Sequence, residues 1–176
     1  MNMKRLLMIA LAAVLVLSLC ACGEDAPAAT DPTKGGDVTP STTPVGYTFT
    51  YNGYQFGVDM SIDTVVENLG QPKDKAEMNS CAFGGTNFVY YYNSIQINTT
   101  DDQGYDRIYT IYLEDDLVST EKGVSVGNTA DQVKAAYGEP SEASSETCLV
   151  YAKDGMYLKF NLKADKVSSI TYTLLA

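Results

Sequence analysis

Short runs in this 176-residue chain alternate apolar and polar residues with a period of two, and two others carry apolar residues at helical spacing. Tyr47-Thr48-Phe49-Thr50-Tyr51 and Tyr54-Gln55-Phe56 alternate on either side of Asn52-Gly53, which predicts a β-hairpin or a strand entering the domain. Helical spacing is found in Ile62, Val65, Val66 and Leu69, and again in Ala130, Val133, Ala136 and Tyr137. Each set follows a hydroxyl residue suited to N-capping, Ser61 or Thr129. Each places an acid, Asp63 or Asp131, in the first turn, where the helix dipole favours it, and each stops at Gly then Pro. Thr129 with Gln132 also fits a capping box. Two short helices of about two turns are predicted, each with one buried face.

A β-rich stretch follows each helix. Phe88 to Tyr92, Ile95 to Thr99 and Arg107 to Leu113 read as strands after the first; Cys148 to Ala152, Met156 to Leu162 and Val167 to Leu174 read as strands after the second. The segment Ser61–Pro72 aligns without a gap on Thr129–Pro140. The expected fold class is therefore α+β: two tandem helix plus antiparallel-sheet repeats, 46–120 and 121–176, with sheets side by side and helices on one face. The first copy carries extra residues around Ser80-Cys81-Ala82-Phe83, so Cys81 and Cys148 need not be equivalent positions.

Alternation also assigns faces. Met156, Leu158, Phe160 and Leu162 turn toward the helices, and Tyr157, Lys159 and Asn161 turn away. By the same rule Ile170, Tyr172 and Leu174 point inward and Ser169, Thr171 and Thr173 outward. Tyr109, Ile111 and Leu113 point in, Thr110 and Tyr112 out, and Gln96 and Asn98 lie outward between Ile95 and Ile97. The chain has thirteen tyrosines and no tryptophan, and Tyr90, Tyr91, Tyr92, Tyr112 and Tyr157 fall in or next to these strands. A tyrosine ring with a polar tip suits a recognition surface, although β-propensity alone would also place it in a half-exposed strand. The candidate partner-binding residues are Tyr92, Gln96, Asn98, Tyr112, Tyr157 and Lys159.

The start of the chain adds a location. Lys4 and Arg5 precede an apolar run from Leu6 to Leu19, which has the length of a signal h-region and is too short to cross a bilayer. Leu19-Cys20-Ala21-Cys22 resembles the lipobox read by the lipoprotein signal peptidase. Residues 1–21 are expected to be a lipoprotein signal peptide, with Cys22 carrying diacylglycerol and holding the chain at the outer face of the bacterial cytoplasmic membrane. Two acyl chains anchor stably where one would be marginal. From 22 to 45 the chain is Ala, Thr, Pro, Gly, Ser and Asp with almost nothing to bury, and reads as a disordered linker.

Charge and composition then exclude functions. Removing Lys4 and Arg5 with the leader leaves ten basic against 22 acidic residues, a net charge of −12. Such a surface repels nucleic acid and anionic headgroups, so any membrane attachment falls to the lipid. The chain has no histidine, which removes the commonest general base and metal ligand. Asp101-Asp102 and Glu114-Asp115-Asp116 lack the spacing and glycine of a calcium loop, so no metal and no cofactor are expected. Cys81 and Cys148 are open to two readings, a disulfide in an exported protein or two small buried hydrophobes.

A helix ending in Leu69-Gly70-Gln71-Pro72 or Tyr137-Gly138-Glu139-Pro140, followed by antiparallel strands and standing behind a lipobox, resembles the tandem-repeat fold of the β-lactamase inhibitory proteins. It is also similar to the small outer-membrane-assembly lipoproteins of the SmpA/BamE type. Most of all it resembles lipoproteins of Gram-positive bacteria that carry a Ser-Cys-Ala-Phe segment, here residues 80–83. The likeness covers roughly 45–176. It implies a non-catalytic module that binds another cell-surface or envelope protein on a sheet face, with a ligand-capturing or envelope-assembly lipoprotein as the alternative. It carries over no contact residue.

Overall fold

In a computed structural model of the chain, residues 38–78 and 86–175 are described. The expected signal peptide (1–21), the expected lipid attachment at Cys22, most of the expected linker and Cys81 with the Ser80–Phe83 segment lie outside the described residues. The first hairpin forms as its turn sequence requires. Strands β1 (Phe49–Tyr51) and β2 (Tyr54–Phe56) pair antiparallel across Asn52 (φ 48°) and Gly53 (φ 83°), both left-handed, the geometry of a type I′ turn. Helix α1 (Ile62–Leu69) follows, then strands β3 (Asp74–Met78), β4 (Asn87–Tyr91), β5 (Ile95–Thr100) and β6 (Arg107–Leu113). Helix α2 (Ala130–Tyr137) leads to β7 (Cys148–Lys153), β8 (Met156–Lys163) and β9 (Lys166–Leu174).

These strands correct the expected fold class. Seven of them form one continuous antiparallel sheet in the order β3-β4-β5-β6-β9-β8-β7, rather than two sheets side by side, and β1-β2 forms a small sheet of its own. Mostly β, the fold sets two helices of eight residues against nine strands among the described residues, and it is not two helix-plus-sheet repeats. β6 and β9 pair directly, through Thr110 with Thr173, Ile111 with Tyr172, Tyr112 with Thr171 and Leu113 with Ile170. Each would otherwise end its sheet as a hydrophobic edge with unpaired amides and carbonyls, and pairing satisfies both at once.

The sheet's outer borders are handled differently. On β3, Asp74, Lys75 and Glu77 are charged and exposed. On β7, the Val150 amide donates to Ser144 Oγ at 2.8 Å, and its carbonyl accepts from the Ser141 amide at 2.8 Å, so the 141–144 loop covers that edge.

One core cluster gathers the inward residues of the large sheet, the faces of both helices and the hairpin. Two levels of the sheet face it: Tyr90, Ile97, Ile111, Tyr172, Leu158 and Tyr151, and beside them Ile95, Leu113, Ile170, Phe160 and Leu149. Ile62 and Val65 from α1, Ala130 and Val133 from α2, and Phe49 and Phe56 from the hairpin close over these levels. Thr129 caps α2 in a full capping box, accepting from the Gln132 amide at 3.3 Å while Gln132 Oε1 accepts from the Thr129 amide at 2.8 Å. Ser61 precedes α1 but makes no side-chain cap; its backbone amide donates to the Ser41 carbonyl at 2.8 Å. Ordered contacts therefore begin by Ser41, inside the stretch expected as linker. At Gly46 (φ 67°) an added Cβ would sit 2.5 Å from Met156 Cγ and 2.7 Å from the Lys153 carbonyl, so only glycine lets this segment dock on the β7–β8 turn.

Two buried phenols set testable consequences. Tyr172 is fully buried against Phe49 (ring centroids 5.9 Å apart), and its hydroxyl has no partner among the described residues. Removing an unsatisfied buried hydroxyl recovers its desolvation cost, so Tyr172→Phe is expected to leave stability unchanged or raise it by about 1 kcal/mol, as read from urea unfolding. Burial, with help from Glu139 and neighbouring tyrosines, pushes the Tyr151 phenol up to about 12. Unfolded phenols ionise near pH 10. Between there and about 12 the unfolded chain releases a proton that the folded one keeps, so stability falls as pH rises through this window. The urea midpoint is expected to drop between pH 9 and 11.5, and the slope to flatten in Tyr151→Phe.

Candidate functional site

The same register that buries one face of the sheet turns the intervening residues to the other. One level runs Val89, Asn98, Thr110, Thr173 and Tyr157 across β4, β5, β6, β9 and β8. The next runs Tyr91, Gln96, Tyr112, Thr171 and Lys159 across the same strands. None of these ten residues joins the core cluster on the helix side, although Val89 is itself buried at 5% exposure.

Heights along the two levels differ. Asn98, Thr110, Thr171 and Thr173 are buried at 3–9% exposure, while Gln96, Tyr112, Tyr157 and Lys159 are half-buried and Tyr91 is 37% exposed. Short threonines thus form a floor screened by taller neighbours. Thr110 and Thr173 hydroxyls share a 3.2 Å hydrogen bond across the central β6–β9 pair. Gln96 Nε2 donates to Asn98 Oδ1 at 2.9 Å, Asn161 Nδ2 donates to Ser169 Oγ at 2.9 Å, and Lys159 Nζ stands 5.4 Å from the centre of the Tyr157 ring. The polar groups are therefore held in place by one another. Lys159 is the one charge in the two levels, and burial raises the Tyr112 phenol above its usual range, so Tyr112 is a neutral donor at physiological pH.

Five of the six candidate residues, Gln96, Asn98, Tyr112, Tyr157 and Lys159, come together on this face. Tyr92 does not. It lies past the end of β4, packs against the core, stacks edge-on with Tyr51 at 6.2 Å and donates its hydroxyl to the Gly70 carbonyl at 3.0 Å. Its role is to hold the end of α1, as Tyr151 does for α2 by donating to the Gly138 carbonyl at 3.0 Å. The residue missed in its place is Tyr91. Counting alternation from core-facing Tyr90 would have found it, because Val89 and Tyr91 must then face the opposite side.

Cys148 sits at the β7 end of this face, half-buried and unbridged among the described residues. Burial raises its pKa and the nearby Lys159 lowers it, with burial the larger effect. Its suggested partner Cys81 is outside the described residues.

In the first acidic run Asp102 has a structural partner. Arg107 binds Asp102 through two bonds, Nε to Oδ1 at 2.7 Å and Nη2 to Oδ2 at 2.6 Å, and reaches Asp59 at 2.7 Å. The guanidinium holds the Asp102 carboxyl below its ordinary range, and both Asp102 oxygens are occupied. Among the described residues no group of three or more Cys, Asp or Glu is placed to hold a metal ion, and no helix is long and apolar enough to cross a membrane.

Comparison with known proteins gives little beyond this geometry. No family model and no curated protein matches the chain. One solved structure is similar, that of an extracellular protein containing an SCP domain from Bacillus anthracis str. Ames, at 10% identity and a TM-score of 0.39, over 80% of this chain and 49% of that one. This chain therefore spans about half the length of the protein it resembles.

Proposed function

We propose that the chain is a cell-surface lipoprotein that acts, without catalysis, as an inhibitor-like binding module for another protein, held at the outer face of the bacterial cytoplasmic membrane through Cys22. The observation that carries this reading is the second face of the large sheet, where Tyr91, Tyr112 and Tyr157 stand around a floor of threonines and no residue joins the core cluster on the helix side. Tyrosine walls supply contact area at low entropic cost, and fixed amides and hydroxyls supply orientation, the composition favoured at protein interfaces. The chain's lack of histidine supports a non-catalytic role, and the lipobox supports the anchor.

A photo-crosslinking amino acid at position 112 or 157, in cells making the full chain, tests the reading against the same probe at Lys134 on the exposed side of α2. A discrete protein adduct is expected from the sheet positions and absent from the helix position. Equal labelling from both, or none from the sheet, removes the sheet face as the docking site.

A further inference from the structure

A separate recess of about 430 Å³ lies at the ends of two hairpins, where Thr50 to Asn52 of the β1–β2 turn meets Asn93-Ser94 of the β4–β5 turn and the 117–119 segment after β6. From the geometry and chemistry of this recess we infer that it is a binding site for a neutral saccharide. The volume falls in the range of small-ligand sites, about 300–1,000 Å³.

Its lining has no charged side chain. Hydroxyls come from Thr50, Ser94 and Ser119 and carboxamides from Asn52 and Asn93; among the described residues, no other side chain is hydrogen-bonded to them. Hydroxyls and carboxamides each donate and accept, which is what sugar hydroxyls require of a partner, and an uncharged wall selects against ionic ligands. On a chain of net charge −10, anionic ligands are disfavoured further. Leu117, 80% exposed, with half-buried Val118, adds the apolar surface against which the C–H face of a pyranose packs, while Tyr51 lies beneath them at 7% exposure.

The frame is fixed before any ligand arrives. Asn52-Gly53 is a tight left-handed turn, the Leu117 amide donates to Asp115 Oδ1 at 3.0 Å, and Ser119 bridges to Ser125. Preorganisation of this kind lowers the cost of ordering on binding. A polar peptide is the competing occupant. It is disfavoured because the recess offers no deep apolar pocket for an anchoring side chain.

The test titrates the full chain, in a detergent without a sugar headgroup, with the tetramer of N-acetylglucosamine, with maltotetraose and with a neutral Ser-Gly-Ala-Ser peptide, read by saturation-transfer NMR and by the side-chain amide resonances of Asn52 and Asn93. At least one glycan is expected to bind saturably and to shift both carboxamides. The double variant Asn52→Gly and Asn93→Ala should weaken that binding about tenfold or more at unchanged thermal stability, since both residues are exposed in turns and glycine accepts the left-handed backbone at 52. No saturable glycan binding, unmoved carboxamides in the wild-type protein, or a peptide that binds in place of the glycans overturns the inference. Because the recess shares no residue with the tyrosine face, neither result alters the outcome of the crosslinking test.

Discussion

Phe160→Ala is expected to lower the free energy of unfolding by about 3–5 kcal/mol. The ring is fully buried where three aromatic groups converge, with Tyr137 at 5.2 Å and Tyr151 at 5.8 Å, and its strand neighbours Leu149 and Ile170 flank it on β7 and β9. Truncation removes the transfer free energy of the ring and leaves a void that a helix end and two paired strands cannot close together. Since domains of this size are stable by only about 5–15 kcal/mol, the variant should sit close to its unfolding threshold. Urea titration followed by circular dichroism reads the effect. A loss under about 1.5 kcal/mol means the site collapses around the deletion, and that the aromatic cluster does not organise this half of the core.

Replacing Tyr112 and Tyr157 together by Ala should do the opposite: nearly intact folding, and loss of partner capture by about a hundredfold. Buried aromatic anchors at interfaces each contribute about 2 kcal/mol or more, though not additively. Both rings are half-buried, face away from the core and stand over Thr171 and Thr173, so their removal bares the floor without opening the interior. The yield of adduct from a crosslinker at position 91 measures capture, and thermal unfolding measures the fold. If the double variant unfolds, the two side chains belong to the core.

Local structure was written plainly in the chain. Ser61 and Gly70 bracket α1, Thr129 and Gly138 bracket α2, Asn52-Gly53 makes the first turn, and six of the seven strands after the helices fall within a residue or two of their alternating runs. Long-range pairing was not. Nothing in Arg107–Leu113 or Lys166–Leu174 states that the two strands lie side by side, because period two fixes which face is buried but not which strand is the neighbour. The gapless match of two helical segments suggested separate units, and the β6–β9 ladder makes one sheet instead. Strand β3 was missed because Asp74-Lys75-Ala76-Glu77-Met78 has the low apolar content of an exposed border, with little burial to leave a pattern. The misplacement of Tyr92 is an error of phase: it lies two residues from core-facing Tyr90 and so shares that side, where it packs against the core. The recess at the hairpin ends could not be read at all, since it is assembled from three turns far apart in sequence.

The two guarded borders of the large sheet have a consequence for behaviour at high local concentration. With a serine loop sealing β7 and charges spaced along β3, neither flank presents a bare ladder for a second copy to extend. Molecules crowded shoulder to shoulder should therefore stay individually soluble instead of growing into fibres, which leaves the broad side of each one free for whatever it meets.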